Sequence, residues 1–247
     1  MVEVNKAILD GGYLKYLKNL SYLLKTMSHL DESKIIDNIL YKTARYDFDA
    51  SKKLVITAGP PGIGKSTISN LVLGGLGFKS YDSDFFLQSL LKKENMPLKM
   101  NEYSDEQLDK MYKIRENVFR VIEKAHENTV SKGQGLIINI TGPDAQKTIE
   151  LANLFKERGY SVKMLYVDGS LDMALEGNSK RERSIPVEGE MGLISKYNKV
   201  AENKETFKNF FKDDFHYYYN SKDKTPSLIN NEIQSLSKIF LNWSWLE

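Results

Sequence analysis

The chain has 247 residues, a formal net charge of +2 and no cysteine, which excludes disulfides, thiolate metal sites and the strongly basic surface of a protein that coats nucleic acid. Its histidines, His29, His126 and His216, show no metal-ligand spacing. No apolar run approaches the length of a membrane span, and the first residues do not resemble a signal peptide. We therefore expect a cytoplasmic protein with no membrane partner.

The first 50 residues contain no strand-like run. Leu, Ile and Tyr recur there at helical spacing in two segments, AILDGGYLKYLKNLSYLLKTM and ESKIIDNILYKTARYDF. This pattern predicts an N-terminal helical extension at 1–50. The extension would act as a lid over one edge of a sheet, or as a surface for a protein partner or an oligomer.

From residue 53 onward, strand-like and helix-like segments alternate. Strands are predicted at 54–58, 78–81, 136–140, 162–167 and 215–219, and a long helix at about 104–131. The alternation predicts an α/β core at 51–225 with a mainly parallel sheet and helices on both faces. A C-terminal helix at 226–247 is expected to pack on this core. Ligands of such sheets bind beyond the carboxyl ends of the strands, so the residues after each strand are the functional candidates.

The first strand leads directly into GPPGIGKST, which has the Gly-x-x-x-x-Gly-Lys-Ser pattern of a phosphate-binding P-loop. A strand before the loop and a helix after it are the context that this motif requires. The backbone N–H groups of such a loop surround an anion, the lysine reaches the β- and γ-phosphates, and the serine ligates Mg²⁺. The residues expected to bind the nucleoside triphosphate are Gly59, Pro60, Pro61, Gly62, Ile63, Gly64, Lys65, Ser66 and Thr67.

Polar residues follow the second and third strands. Asp82 and Asp84 lie near a helix start, one residue apart, so they cannot both project the same way. One of them would accept a proton from an attacking hydroxyl, and the other would face Mg²⁺-bound water or cap the helix; simple capping by either is the alternative. The third strand ends without an acidic residue, so no Walker-B aspartate is visible. Thr141 and Gly142 are expected to line the acceptor side.

A cluster of cations follows the fourth strand and a short helix. Lys180, Arg181 and Arg183 lie in a short segment that ends at Pro186. A guanidinium over the transferring phosphate stabilises the charge that spreads over its oxygens, so the position predicts a phosphoryl-transfer lid around 177–187. The alternative is a solvated basic turn at the end of a helix.

Together these motifs resemble the P-loop kinases related to bacteriophage polynucleotide kinase and to zeta toxins. The resemblance rests on GPPGIGKST, DSD, NITG, ALEGNSKRERSIP and YYYN, which occur in the family's order over about 53–220. It implies a five-stranded sheet of order 2-3-1-4-5, ATP and Mg²⁺ as cofactors, and Lys65, Asp84 and Arg181 as catalytic residues. It also implies Ser66 and Asp84 at the metal and Asn220 beside the base. Substrate binding is expected at Asp82, Thr141, Gly142, Lys180 and Arg183.

The sequence departs from the family at two positions. The family has an arginine three residues after the base, where this chain has Leu87, and another just before the lid asparagine, where it has Gly177. The acceptor is therefore held differently, and Arg183, Lys180 and groups on the 104–131 helix are the candidates. An inactive, degenerate enzyme is the alternative that these departures raise.

The reaction class predicted from these residues is transfer of the γ-phosphate to a hydroxyl. A nucleic-acid or nucleotide hydroxyl is favoured, such as a 5′ end or a hydroxymethylated base. A nucleotide sugar, as in zeta-like members, is the alternative acceptor. A nucleotide-gated binding module with weak ATPase activity, which uses the N-terminal helices as its partner surface, is the alternative of a different class.

Overall fold

The computed structural model describes residues 48–190 and 192–243. The predicted N-terminal extension at 1–50 therefore lies outside the described residues except for its last three. The strands are β1 (Lys53–Ala58), β2 (Lys79–Ser80), β3 (Leu136–Asn139), β4 (Ser161–Gly169) and β5 (Phe215–Asn220). The helices are α1 (Lys65–Leu73), α2 (Ser83–Lys93), α3 (Asp105–Ser131), α4 (Ala145–Glu157), α5 (Leu171–Ser179), α6 (Leu193–Glu202), α7 (Lys204–Phe211) and α8 (Pro226–Leu241). Short 3₁₀ turns lie at Met100–Glu102 and Lys212–Asp214.

The strands form one sheet in which every pairing is parallel and the order is β2-β3-β1-β4-β5. The predicted fold and strand order are confirmed. β1, with the sequence KLVITA, is buried along its whole length because it lies in the middle of the sheet with helices on both faces. β2 is shorter than predicted, only two residues, and pairs with β3 at one edge of the sheet.

Alternate residues of the central strands serve two separate cores. Val55, Ile137 and Leu165 face α1 and α8, whereas Leu54, Ile138 and Met164 face α4 and α7. The side chains that α8 contributes to the first core are Ile233, Leu236 and Phe240. Helices on both faces hold the strands rigidly, so the loops at their carboxyl ends start from fixed positions.

The long helix α3 belongs to a third cluster. It starts at a capping box, in which Ser104 accepts from the backbone of Gln107 and the Gln107 side chain accepts from the backbone of Ser104. Its apolar stripe, including Met111 and Val118, packs against Leu87 and other residues of α2. This pair of helices forms a wall beside the carboxyl ends of β2 and β3. No helix in the two described ranges is long and apolar enough to cross a bilayer.

Candidate active site

A cavity of about 620 Å³ lies at the carboxyl edge of the sheet, where ligands were expected to bind. Its walls come from the P-loop, α2, α3, the segment after β3, the segment between α5 and α6, and α6 itself. Predicted site residues that line it are Pro61, Lys65, Ser66, Asp82, Asp84, Thr141, Gly142, Arg181 and Arg183. The fold therefore brings together residues that are more than 100 positions apart in the chain.

The P-loop residue Lys65 lies at the start of α1 and is only partly exposed. Its ammonium group donates a hydrogen bond to the Pro60 carbonyl oxygen at 2.8 Å. Burial and, after it, the nearby Arg181 lower the pKa of Lys65 to about 7, although Asp84 acts in the opposite direction. Because the protonated form of Lys65 costs free energy in the unliganded protein, the negative charge of a bound triphosphate would stabilise it. The hydroxyl-bearing Ser66 and Thr67 follow it and are exposed.

The two aspartates after β2 have different partners. Asp82 caps α2 by accepting from the backbone N–H groups of Asp84 at 2.9 Å and Phe85 at 3.2 Å. Asp84 is in the first helical turn, and its carboxylate, 60% exposed, accepts from Arg183 Nη2 at 2.5 Å. Asp82 is therefore committed to the helix terminus, whereas the Asp84 carboxylate takes no part in capping and lines the cavity paired with Arg183.

The segment after α5 is fixed by one buried asparagine. Asn178 is 5% exposed, and its side-chain amide donates to the Ile185 carbonyl oxygen at 2.9 Å and accepts from the Ile185 N–H at 3.1 Å. This pair of bonds closes a loop over residues 180–184 and directs Arg181 and Arg183 to the cavity. Asn178 belongs to the NSKR motif, and its role as the clamp of the loop was not predicted.

The departure at Gly177 has a steric cause. A Cβ atom built on Gly177 would lie 1.9 Å from the Gly62 carbonyl oxygen, and one on Gly62 would lie 2.2 Å from the Ala174 carbonyl oxygen. The backbones of α5 and the P-loop thus touch, and neither position has room for a side chain. The glycine at position 177 therefore allows α5 to pack directly on the P-loop.

Some predicted residues lie outside the cavity. Asn220, expected beside the base, donates from Nδ2 to the Ile63 carbonyl oxygen at 2.9 Å and so supports the P-loop from the end of β5. Lys180, expected at the acceptor, is exposed and donates to Glu176 at 2.5 Å within α5. Neither residue is among those that line the cavity.

The end of β3 carries a polar group that was not predicted. Asn139 Oδ1 is buried and accepts no hydrogen bond within the described ranges, and Asn139 lines the cavity. An unpaired buried carbonyl costs free energy, so a ligand or a water that donates to it would be stabilising. Beyond it, Thr141 accepts from the backbone of Gly59 at 3.4 Å, and the Gly142 carbonyl accepts from Asn203 at 3.0 Å.

Part of the cavity wall is formed by α3 and α6. Tyr112 and Phe119 of α3 are 40% and 46% exposed and line the cavity together with Arg115 between them. Lys196 of α6 lines the cavity as well. Leu87, the other departure from the family, is 5% exposed and packs with α3 while one side contributes to the cavity. The sequence analysis named the 104–131 helix as a candidate without singling out Arg115, and it missed Lys196, because the folding of α3 and α6 over one site leaves no local pattern in the sequence.

Metal ligands were predicted at Ser66 and Asp84. Both side chains line the cavity, and both offer oxygen atoms, which are the ligands that Mg²⁺ takes. Within the described residues, no group of three or more acidic or histidine side chains is arranged to hold a metal ion.

Comparison with a family model decides the relationship. The model described as zeta toxin matches residues 36–232. The chain belongs to the zeta toxin family. It is thus a kinase, a phosphotransferase, and the predicted reaction class is confirmed at that level. The comparison with curated proteins finds no match.

Solved structures of kinases and of a toxin–antitoxin system are similar at low identity. One from the PezAT chromosomal toxin–antitoxin system of Streptococcus pneumoniae has 14% identity and a TM-score of 0.49, over 83% of this chain and 91% of that one. A shikimate kinase of Bacteroides thetaiotaomicron has 13% identity and a TM-score of 0.43, over 76% of this chain and 97% of that one. A gluconokinase of Sinorhizobium meliloti has 11% identity and a TM-score of 0.44, over 77% of this chain and 94% of that one.

Proposed function

We propose that this zeta toxin family member transfers the γ-phosphate of ATP to a hydroxyl group of a nucleic acid or a nucleotide. The acceptor oxygen attacks the γ-phosphorus, its proton passes to the Asp84 carboxylate, and the bond from the γ-phosphorus to the leaving oxygen breaks to release ADP. Lys65 and the P-loop backbone hold the phosphates, and Arg181 stabilises the charge on the transferring group.

One observation carries this proposal. Lys65, Asp84 and Arg181 come from the P-loop, α2 and the segment after α5, and all three side chains line the same cavity. The electrostatics support this grouping, since Arg181 lowers and Asp84 raises the pKa of Lys65. A cation for the phosphate, a carboxylate for the acceptor proton and a guanidinium for the developing charge are the parts that phosphoryl transfer needs.

The oxygen ligands in the cavity fit Mg²⁺. The hydroxyl of Ser66 would hold the ion together with phosphate oxygens and water, and Asp84 and the unpaired Asn139 Oδ1 would accept from its waters. When bound, Mg²⁺ neutralises charge on the β- and γ-phosphates.

Phosphate transfer from γ-labelled ATP tests the proposal. The acceptor panel contains 5′-hydroxyl DNA and RNA, hydroxymethyl-base DNA, nucleosides, nucleotides and nucleotide sugars, and the Arg181→Ala protein is assayed beside the wild type. We expect label on one acceptor class and a transfer rate that falls by roughly 10³-fold in the variant while ATP affinity changes little. A loss confined to ATP affinity would remove the transition-state role of Arg181.

Family membership favours a second candidate acceptor, a nucleotide sugar. The same cavity, base and lid would serve that reaction, so the two candidates differ only in which panel member receives label. Label in free phosphate alone would support neither, and would favour a nucleotide-gated binding module with weak ATPase activity.

A further inference from the structure

Polar side chains on one face of α2 contact the lid segment, residues 180–184. Asp84, Gln88 and Lys92 are spaced four residues apart, so they project from the same side of the helix over about 12 Å. Arg183 Nη2 donates to Asp84 Oδ1 at 2.5 Å. Glu182 Oε2 accepts from Gln88 Nε2 at 2.5 Å, and Glu182 Oε1 forms an ion pair with the Lys92 ammonium group. Both carboxylate oxygens of Glu182 are therefore bound to α2.

Glu182 lies on the outer side of the lid segment. Its neighbours Arg181 and Arg183 line the cavity, whereas Glu182 does not, and neither do its partners Gln88 and Lys92. Because Glu182 stands between two residues that reach the cavity, its contacts with α2 fix the backbone from which both guanidinium groups project. The reaction described above needs Arg181 in place and gives Glu182 no role.

Polar contacts anchor the lid segment because its side chains cannot join a core. Its sequence is KRERS, without an apolar residue. The bonds of Asn178 close its base, and the Ser184 carbonyl oxygen accepts from the N–H of Met100, in the turn after α2, at 3.2 Å. Loss of the Glu182 contacts would therefore loosen the segment at a place where no apolar packing compensates.

We propose that Glu182 is a positioning residue for phosphoryl transfer. Together with Gln88 and Lys92 it forms a clasp between the lid segment and α2. The clasp keeps Arg181 in a fixed place relative to Asp84, the base that α2 carries. The inference rests on the proposed function, which needs both charges at one phosphate. Because the P-loop holds the triphosphate, the clasp acts on the rate of transfer and not on ATP affinity.

Single-turnover transfer from γ-labelled ATP, to the panel acceptor that the wild type labels, measures the effect. Lys92 and Glu182 are 51% and 58% exposed, so their contact is a screened surface interaction of modest strength. We expect Glu182→Ala to lower the transfer rate about threefold to tenfold, with the Kd for ATP within about twofold of the wild type. Glu182→Lys, which opposes two ammonium groups, should be slower still. Adding Lys92→Glu to it restores an ion pair of reversed sign and should recover the rate to within about twofold.

The chain offers a matched control at the end of the same helix. Glu94 pairs with Lys110 of α3 at 2.8 Å, and the two side chains are 44% and 48% exposed. Neither residue touches the lid segment through this pair or lines the cavity. Glu94→Ala should leave the transfer rate within about twofold of the wild type, since Leu87 and Leu91 already pack α2 against α3.

Amide exchange reports on the clasp without relying on transfer. The Met100 N–H donates to the Ser184 carbonyl oxygen, so its exchange rate follows the opening of the lid segment. Glu182→Ala should speed this exchange about threefold to tenfold, and Glu94→Ala should leave it unchanged.

Unchanged Met100 exchange in Glu182→Ala, rate losses as large in Glu94→Ala, a loss of ATP affinity as large as the loss of rate, or no recovery in the charge-exchanged double variant would each overturn the clasp. Failure of the proposed function looks different: Met100 exchange would respond as described, yet no acceptor would receive label from γ-labelled ATP.

Discussion

Replacement of Gly177 by alanine tests whether α5 rests directly on the P-loop. In an ordinary helix interior, Gly→Ala stabilises by roughly 0.8–1.0 kcal/mol, so propensity alone predicts a more stable protein. Here the new methyl carbon would lie 1.9 Å from the Gly62 carbonyl oxygen, whereas ordinary contact begins near 3.4 Å. α5 must therefore retreat by about 1.5 Å, and overpacking of this kind costs roughly 1–3 kcal/mol.

The net expectation for Gly177→Ala is a loss of up to about 2 kcal/mol in the free energy of unfolding, because the clash offsets or outweighs the gain in helix propensity. ATP affinity should fall as well, since the displaced contact includes Gly62 of the P-loop. Urea unfolding and calorimetric titration with a non-hydrolysable ATP analogue measure the two effects.

Ser179→Ala on the exposed end of the same helix is the control, and we expect it to change stability by less than about 0.5 kcal/mol. A Gly177→Ala protein that is more stable than the wild type, with unchanged ATP affinity, would refute direct packing of α5 on the P-loop.

Two further predictions concern the lid and the P-loop lysine. Asn178→Ala removes both hydrogen bonds to Ile185, so urea unfolding should show a loss of about 2–3 kcal/mol in the free energy of unfolding. The rate of labelled transfer should fall by a larger factor than ATP affinity. Equal losses in transfer rate and ATP affinity would contradict the role of Asn178 as the clamp of the loop. A bound triphosphate should raise the pKa of Lys65 from about 7, so the protein should take up more protons per bound ATP analogue at pH 8 than at pH 6. Titration in buffers of different ionisation enthalpy measures this uptake, which Lys65→Met should abolish.

The lowered pKa of Lys65 also determines whether its contribution to stability rises or falls with pH. Between pH 7 and 10.5 the unfolded chain holds the Lys65 proton that the folded chain has lost, so this residue makes the unliganded protein more stable as pH rises through that window.

The parallel sheet and the edge that carries the site were predictable because they follow from local patterns. Buried β-branched runs such as KLVITA alternate with amphipathic helices, and this alternation fixes both the sheet type and the edge where ligands bind. The P-loop was predictable for the same reason, since its glycines, Lys65 and Ser66 are contiguous. The strand order came instead from the resemblance to a family.

Contacts between distant segments were not predictable. Arg115 occupies the polar side of α3, where it resembles the neighbouring surface cations until α6 brings Lys196 to the same cavity. The close approach of Gly177 to Gly62 is equally invisible, because a glycine within a helix has no local signature of what it touches. The predicted role of Asn220 rested on family position alone, and its contact with the Ile63 carbonyl depends on how β5 ends.

The most direct test of phosphoryl transfer at this site is the rate of the Asp84→Asn protein in a single turnover with γ-labelled ATP, with Asp82→Asn as its matched control. We expect transfer by Asp84→Asn to fall by roughly 10²–10⁴-fold, the usual contribution of a general base, while the Kd for ATP changes by less than about threefold. Asp82→Asn should transfer at close to the wild-type rate after correction for lost helix capping. Retained transfer in Asp84→Asn, with loss in Asp82→Asn, would contradict the assignment of Asp84 as the base.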